Sequence, residues 1–229
     1  MKWMIRQPLW VVQSLVAVVG LSAMMASWGG MDALRNLVIA WVVAGAWGSG
    51  LNLIAQTIGW DRVYYEYERL VASPVTLPVY FAGVVAGHLP FFLTVSVAPA
   101  VLVGMLIGIP PSALVMILSL SPLAIMLGAF TSLAVVLGIR NPTNISAITN
   151  PLNTLTVVLP PVYYPLSALP MHFRLPLLAV PTVSLMEVAR WLAGYPHVCF
   201  DPSLPLLSLA VWAAIITPAA LRKMRWGLE

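Results

Sequence analysis

The chain has 229 residues, 61% hydrophobic and 8% charged, where an ordinary soluble domain carries roughly 25% charged residues. With a mean hydropathy of +0.95 and a formal net charge of +4, folding around one aqueous-phase core is excluded. The composition calls for an all-α polytopic membrane protein, with residues 1–229 forming a single transmembrane domain. Its basic residues sit beside apolar runs, so positive-inside anchoring accounts for them and no nucleic-acid partner is expected.

The first element follows Lys2 and Arg6. Its apolar run of about 20 residues exceeds the 7–15 of a secretory signal core, which makes it an uncleaved span over 8–28. Gly29-Gly30 ends it, and a second span is expected over 35–57. There Trp47-Gly48-Ser49-Gly50 approaches the G-x-S-G of membrane serine proteases, but the first glycine is a tryptophan. Gly48 and Gly50, with Ala44 and Ala46, read better as positions of close helix packing. Trp41, Gly45, Gly48, Asn52 and Gln56 fall on one helical stripe.

Residues 60–74 then gather Asp61, Arg62, Glu66, Glu68 and Arg69. Trp60, Val63, Tyr64, Tyr67, Leu70 and Val71 recur at the spacing of one helical face, so the stretch predicts an amphipathic helix of about four turns. Its acids and bases nearly balance. An interfacial helix that binds anionic lipid carries an Arg/Lys-rich polar face instead, so a protein surface is the better partner.

A third span over 76–107 is too long to stand perpendicular, and Pro90 and Pro99 predict a kinked or tilted path. His88 lies near its middle, either as a substrate or proton site or as a neutral ring bonded to a backbone carbonyl. Gly108-Ile109-Pro110-Pro111 breaks the chain before a fourth span over 113–138, and Arg140-Asn141-Pro142 breaks it again. A fifth span is expected over 147–168, made discontinuous by Pro151, Pro160, Pro161 and Pro165. It carries a second polar stripe of Asn150, Asn153 and Thr154, with Ser146 and Thr149 close by. The two stripes either face each other across a path for a polar group or glue the bundle by hydrogen bonds.

Residues 170–201 contain Pro170, Pro176, Pro181 and Pro196 between apolar pieces of about ten residues, too short to cross a bilayer. Interfacial or re-entrant helices are expected there, the second with Leu185, Val188, Ala189 and Leu192 on one face and a Glu187–Arg190 pair. The last span covers 203–221.

Six spans put both termini on one side, with Lys2, Arg6, Arg62, Arg69, Arg140, Arg222, Lys223 and Arg225, and leave Arg35, Arg174 and Arg190 opposite. This asymmetry predicts a multi-pass protein of the cell membrane with cytoplasmic termini. Trp3, Trp10, Trp28, Trp60 and Trp226 near span ends suit an aromatic belt. No phosphate-binding G-x-x-x-x-G-K-[ST] loop occurs. Cys199 is alone and His88, His172 and His197 are far apart, so neither a disulfide nor a metal site is expected.

Three stretches, in order, resemble the type-2 family of ABC transporter permeases. Glu66-Tyr67-Glu68-Arg69-Leu70-Val71-Ala72-Ser73-Pro74 is similar to the family's coupling helix, though it lacks a Gly-Thr pair before the leucine. Arg140-Asn141-Pro142 through Tyr163-Tyr164-Pro165-Leu166-Ser167-Ala168-Leu169-Pro170 is similar to its fifth span, and Pro181-Thr182 with Glu187-Val188-Ala189-Arg190 resembles the segment before its last. The resemblance implies a non-catalytic subunit that exports drugs, polysaccharides or lipids and holds no cofactor of its own. Partner ATPase subunits would carry ATP–Mg and push on Tyr64, Tyr65, Glu66, Tyr67, Glu68, Arg69, Ser73 and Pro74. A second permease subunit would complete the assembly, with Asn52, Gln56, His88, Asn150, Asn153 and Thr154 along the translocation pathway. The alternatives are a membrane enzyme on lipid-linked substrates, and a channel or structural subunit that needs no ATPase.

Overall fold

The computed structural model describes residues 8–63, 66–136 and 144–223, and these form helices and turns without a strand. Helix α1 (Pro8–Gly48) passes through a π-helical turn (Ser49–Leu53) into α2 (Ile54–Val63). Its backbone leaves the helical region at Gly30 (φ 62°, ψ −150°), the break expected between the first two spans. A side chain is disfavoured at that positive φ, which is why glycine stands there. After α3 (Glu66–Val71), α4 (Leu77–Phe92) runs through a second π turn (Leu93–Val97) into α5 (Ala98–Leu106). Next come α6 (Pro111–Ser119), α7 (Ser121–Val136) and α8 (Ile145–Asn153), the last with a third π turn (Thr154–Val158). Two short helices, α9 (Met171–Leu177) and α10 (Pro181–Leu192), precede α11 (Ser203–Lys223).

Among the described residues four helices are long and apolar enough to cross a membrane: Val16–Asp61, Leu77–Leu106, Pro111–Val135 and Ser203–Arg222. The expectation was six. The first two expected spans both fall within Val16–Asp61, which is interrupted where the backbone leaves the helical region at Gly30. The fifth, expected over 147–168, is helical only as far as Val158 because Pro160 and Pro161 cannot donate the next backbone bonds. Helices α9 and α10 are bent by 105°, in keeping with the short interfacial or re-entrant pieces expected before the last span. They count as a fifth crossing only if taken as one broken span.

The core is the stretch from Asn36 to Gly59. It is buried almost throughout, whereas Leu77–Leu106 and Ser203–Arg222 leave most of their surface open. Against it packs α7 at backbone contact: a Cβ on Gly50 would fall on the Ile125 carbonyl oxygen and 2.8 Å from the Ala129 nitrogen. On the facing side, a Cβ on Gly128 would stand 2.6 Å from the Trp47 carbonyl oxygen. Small residues admit this approach, and dispersion across it replaces the hydrophobic drive that lipid cannot supply between helices. Ser49 donates its hydroxyl to the Gly45 carbonyl (2.7 Å) inside this buried crossing.

Candidate functional site: a polar seam and a buried guanidinium hub

The third π turn shows how the prolines shape the centre of the molecule. The Leu159 N–H reaches back five residues to the Thr154 carbonyl (3.0 Å). The Thr156 carbonyl would be met by residue 160 or 161, but both are prolines without an N–H. The Thr182 hydroxyl of α10 donates to it instead. The Thr156 hydroxyl donates to the Leu152 carbonyl (2.8 Å) and accepts the indole N–H of Trp47 (3.0 Å). One threonine therefore joins α1, the broken helix and α10.

Beyond the break, the carbonyls of Pro161, Val162 and Tyr164 converge on Nη2 of Arg190, at 3.0, 3.2 and 2.8 Å. Its Nη1 donates to Glu187 Oε1 (2.8 Å) and its Nε to Asn36 Oδ1 (2.8 Å). Asn36 Nδ2 returns to the Val162 carbonyl (3.3 Å), and Glu187 Oε2 accepts the Cys199 N–H (2.9 Å). Both members of the ion pair are wholly inaccessible. Every arm of the guanidinium is used, as a charge buried this deeply requires. The expected Glu187–Arg190 pair is present, and it acts as a clamp on four segments rather than as a helix-surface pair. Asn36 escaped the sequence reading. Its signal was an amide at the head of an otherwise apolar run, which must find a partner when buried.

The expected polar stripes meet in part. Gln56 Nε2 donates to Asn52 Oδ1 (2.9 Å) and to Asn150 Oδ1 (3.4 Å), and the buried Thr149 hydroxyl donates to Asn52 Oδ1 (3.0 Å). This seam joins α2 to α8. Asn153 stands apart from it, and its side-chain oxygen is buried without a hydrogen-bond partner near Gly48. Thr154 bonds its own helix at the Asn150 carbonyl (3.1 Å). Asn150 and Thr154 lie on the exposed side of this helix with Leu155 and Val158. His88 is on a different contact: Nδ1 donates to the Val84 carbonyl (2.8 Å) and Nε2 lies 3.1 Å from the Thr57 hydroxyl.

The expected four-turn rod over 60–73 is described as two pieces. Trp60 to Val63 complete α2, and Glu66 to Val71 form α3, with Glu68 and Arg69 exposed. Tyr64 and Tyr65 lie outside the described residues, and of Glu66 and Tyr67 only the helix is described. The Ser73 hydroxyl donates to the Leu70 carbonyl (2.7 Å) and accepts the Val75 N–H (3.3 Å), closing the turn that Pro74 begins. One turn below, Tyr80 donates to Asp61 Oδ2 at 2.5 Å, so the end of α2 is fastened to the start of α4.

No group of His, Cys, Asp and Glu side chains among the described residues could hold a metal ion. Cys199, in the connection between α10 and α11, is a free thiol pushed above its ordinary range by burial and then by the neighbouring Glu187 carboxylate. No protein-family model, curated protein or solved structure matches this chain.

Proposed function

We propose that the chain is the membrane-spanning permease subunit of a type-2 ABC transporter, an exporter of an amphipathic, lipid-like or glycan-like substrate. It would lie in the cell membrane with both termini cytoplasmic. Separate ATPase subunits would supply the ATP–Mg chemistry, and this chain would be non-catalytic. The observation that carries this reading is the junction at the end of the central helix. Exposed Glu68 and Arg69 stand on a short helix beside α2, and the Asp61–Tyr80 bond fastens α2 to α4. A push on 66–74 would reach the core through α2, because a helix whose backbone bonds are internal transmits force along its axis. The exposed flank bearing Asn150 and Thr154 suits a pathway shared with a second permease subunit.

The enzyme reading finds less support. Glu187 and Arg190, buried together, spend their hydrogen bonds on structure, so this pair is not open to a substrate. A channel or structural subunit would work without an ATPase, and the same experiment separates it. Tagged protein is purified from its native membranes with and without Glu68→Arg. The ATPase is expected to accompany the parent chain and to be lost from the variant at equal membrane insertion. Undiminished recovery with Glu68→Arg, or full activity of the purified chain without nucleotide, rejects the proposal.

A further inference from the structure

We propose that a recess at the end of the bundle opposite Asp61 binds the zwitterionic headgroup of an aminophospholipid, with the phosphate on Arg35 and the ammonium on Asp32. The helical path from Arg35 to Asp61 rises about 39 Å at 1.5 Å per residue. A bilayer measures about 40–45 Å across its headgroups. With Asp61 at one boundary, Arg35 therefore stands at headgroup level on the other. There a recess of about 210 Å³ opens between Arg35, the Gly108–Pro110 turn and the Gly194–Pro196 turn.

The recess is built on rigid parts. Gly108 (φ +78°) and Gly194 (φ +64°) reverse the chain at its two walls, and around both the space that a side chain would fill is open. The Tyr195 N–H closes the second turn on the Arg190 carbonyl (2.9 Å), and its hydroxyl donates to the Asp32 carbonyl (3.2 Å). Arg35 follows Asp32 by one helical turn and directly precedes Asn36. The wall residues are thus set by the buried Arg190–Glu187–Asn36 hub.

The charges fit one class of ligand. Arg35 Nη1 and Asp32 Oδ1 are 4.0 Å apart, at the limit of an ion pair, and their side chains are 44% and 53% exposed. Each therefore keeps most of its hydrogen-bonding capacity. His197 Nε2 lies 3.9 Å from the other Asp32 oxygen. A simple anion on Arg35 would meet the Asp32 carboxylate, and a simple cation would meet the guanidinium. A phosphate and a primary ammonium joined by a short linker satisfy both, the first by the donor fork of arginine and the second by N–H donation to a carboxylate. Exposed Met105 and Leu106 offer apolar surface beside the recess for the acyl chains.

The test is a binding measurement on the detergent-solubilised full chain and does not depend on the transporter reading. The probes are dihexanoyl phosphatidylethanolamine, dihexanoyl phosphatidylglycerol and free phosphoethanolamine. At a tenfold excess over Kd, phosphatidylethanolamine should raise the unfolding midpoint by roughly 3–6 °C. Arg35→Gln and Asp32→Asn should each lose that shift, and Arg222→Gln at the other end should keep it. Midpoints without lipid show whether the variants fold. Photo-crosslinking of a headgroup-labelled lipid should mark residues 108–110 and 193–196 whatever their stability. An equal shift with phosphatidylglycerol overturns the zwitterionic assignment, and a full shift with free phosphoethanolamine overturns the lipid. No shift, or a shift unchanged in both variants, overturns the site.

Discussion

Arg190→Met offers the sharpest test of how the centre is held. The substitution keeps much of the volume but removes five hydrogen bonds, to Glu187, Asn36 and the carbonyls of Pro161, Val162 and Tyr164. Val162 keeps the Asn36 amide; Pro161 and Tyr164 lose the guanidinium donor. Glu187 is left fully buried with only the Cys199 N–H. Stranding one member of such a pair costs about 3–5 kcal/mol. Glu187→Leu strands the guanidinium but leaves it four other contacts, so its cost should fall at or below the lower end of that range. In Glu187→Leu/Arg190→Met no charge is stranded, and the double variant should be less destabilised than the sum of the singles by about 1–3 kcal/mol. Denaturant titration in mixed micelles, followed by tryptophan fluorescence, measures all four corners of the cycle. Additivity within about 0.5 kcal/mol would show that the guanidinium and carboxylate act independently and would refute the clamp.

Gly50→Ala should abolish recovery of monodisperse protein on size exclusion, because its Cβ collides with backbone atoms of α7. Gly48→Ala, whose Cβ would stand 3.5 Å from Asn153 Oδ1, should be recovered normally. Asn52→Leu deprives Gln56 and the buried Thr149 hydroxyl of an acceptor and should lower stability by about 0.6–1.7 kcal/mol in the same titration. Asn153→Leu removes an oxygen that has no partner and should leave stability unchanged; a transport defect in that variant then assigns Asn153 to the pathway. At neutral pH Cys199 should react slowly with maleimide, and its rate should keep climbing as pH passes the ordinary thiol range, because its raised pKa delays thiolate formation. Glu187→Gln should speed the reaction by removing the nearby negative charge.

What could be read along the chain was local. The breaks at Gly30 and Pro160, the length of the last span and the Glu187–Arg190 pairing depend on backbone chemistry and short spacing, and those carry over into the fold. The number of crossings is a separate matter: four of the described helices are long and apolar enough to cross a membrane, against six expected spans. A glycine that interrupts a helix and one that reverses the chain look alike in sequence.

The polar seam shows the same limit. Asn52 and Gln56 share a stripe one turn apart, and Asn150 was legible as a polar position. That Thr149 would reach Asn52 while Asn153 would be left without a partner depends on how α8 is rotated against α2. That rotation is set by packing of Ile145 against Ala55 and Gly59, between segments far apart in the chain. The sequence by itself determined an all-helical, lipid-compatible chain and the places where its helices must break, because apolar content and missing N–H groups act locally. Only the tertiary structure decided where the broken carbonyls find donors. Asn36, Thr182 and Arg190 come to the Pro160–Pro161 break from distant segments, because each backbone group freed within the bundle must be met by whatever donor the packing brings near.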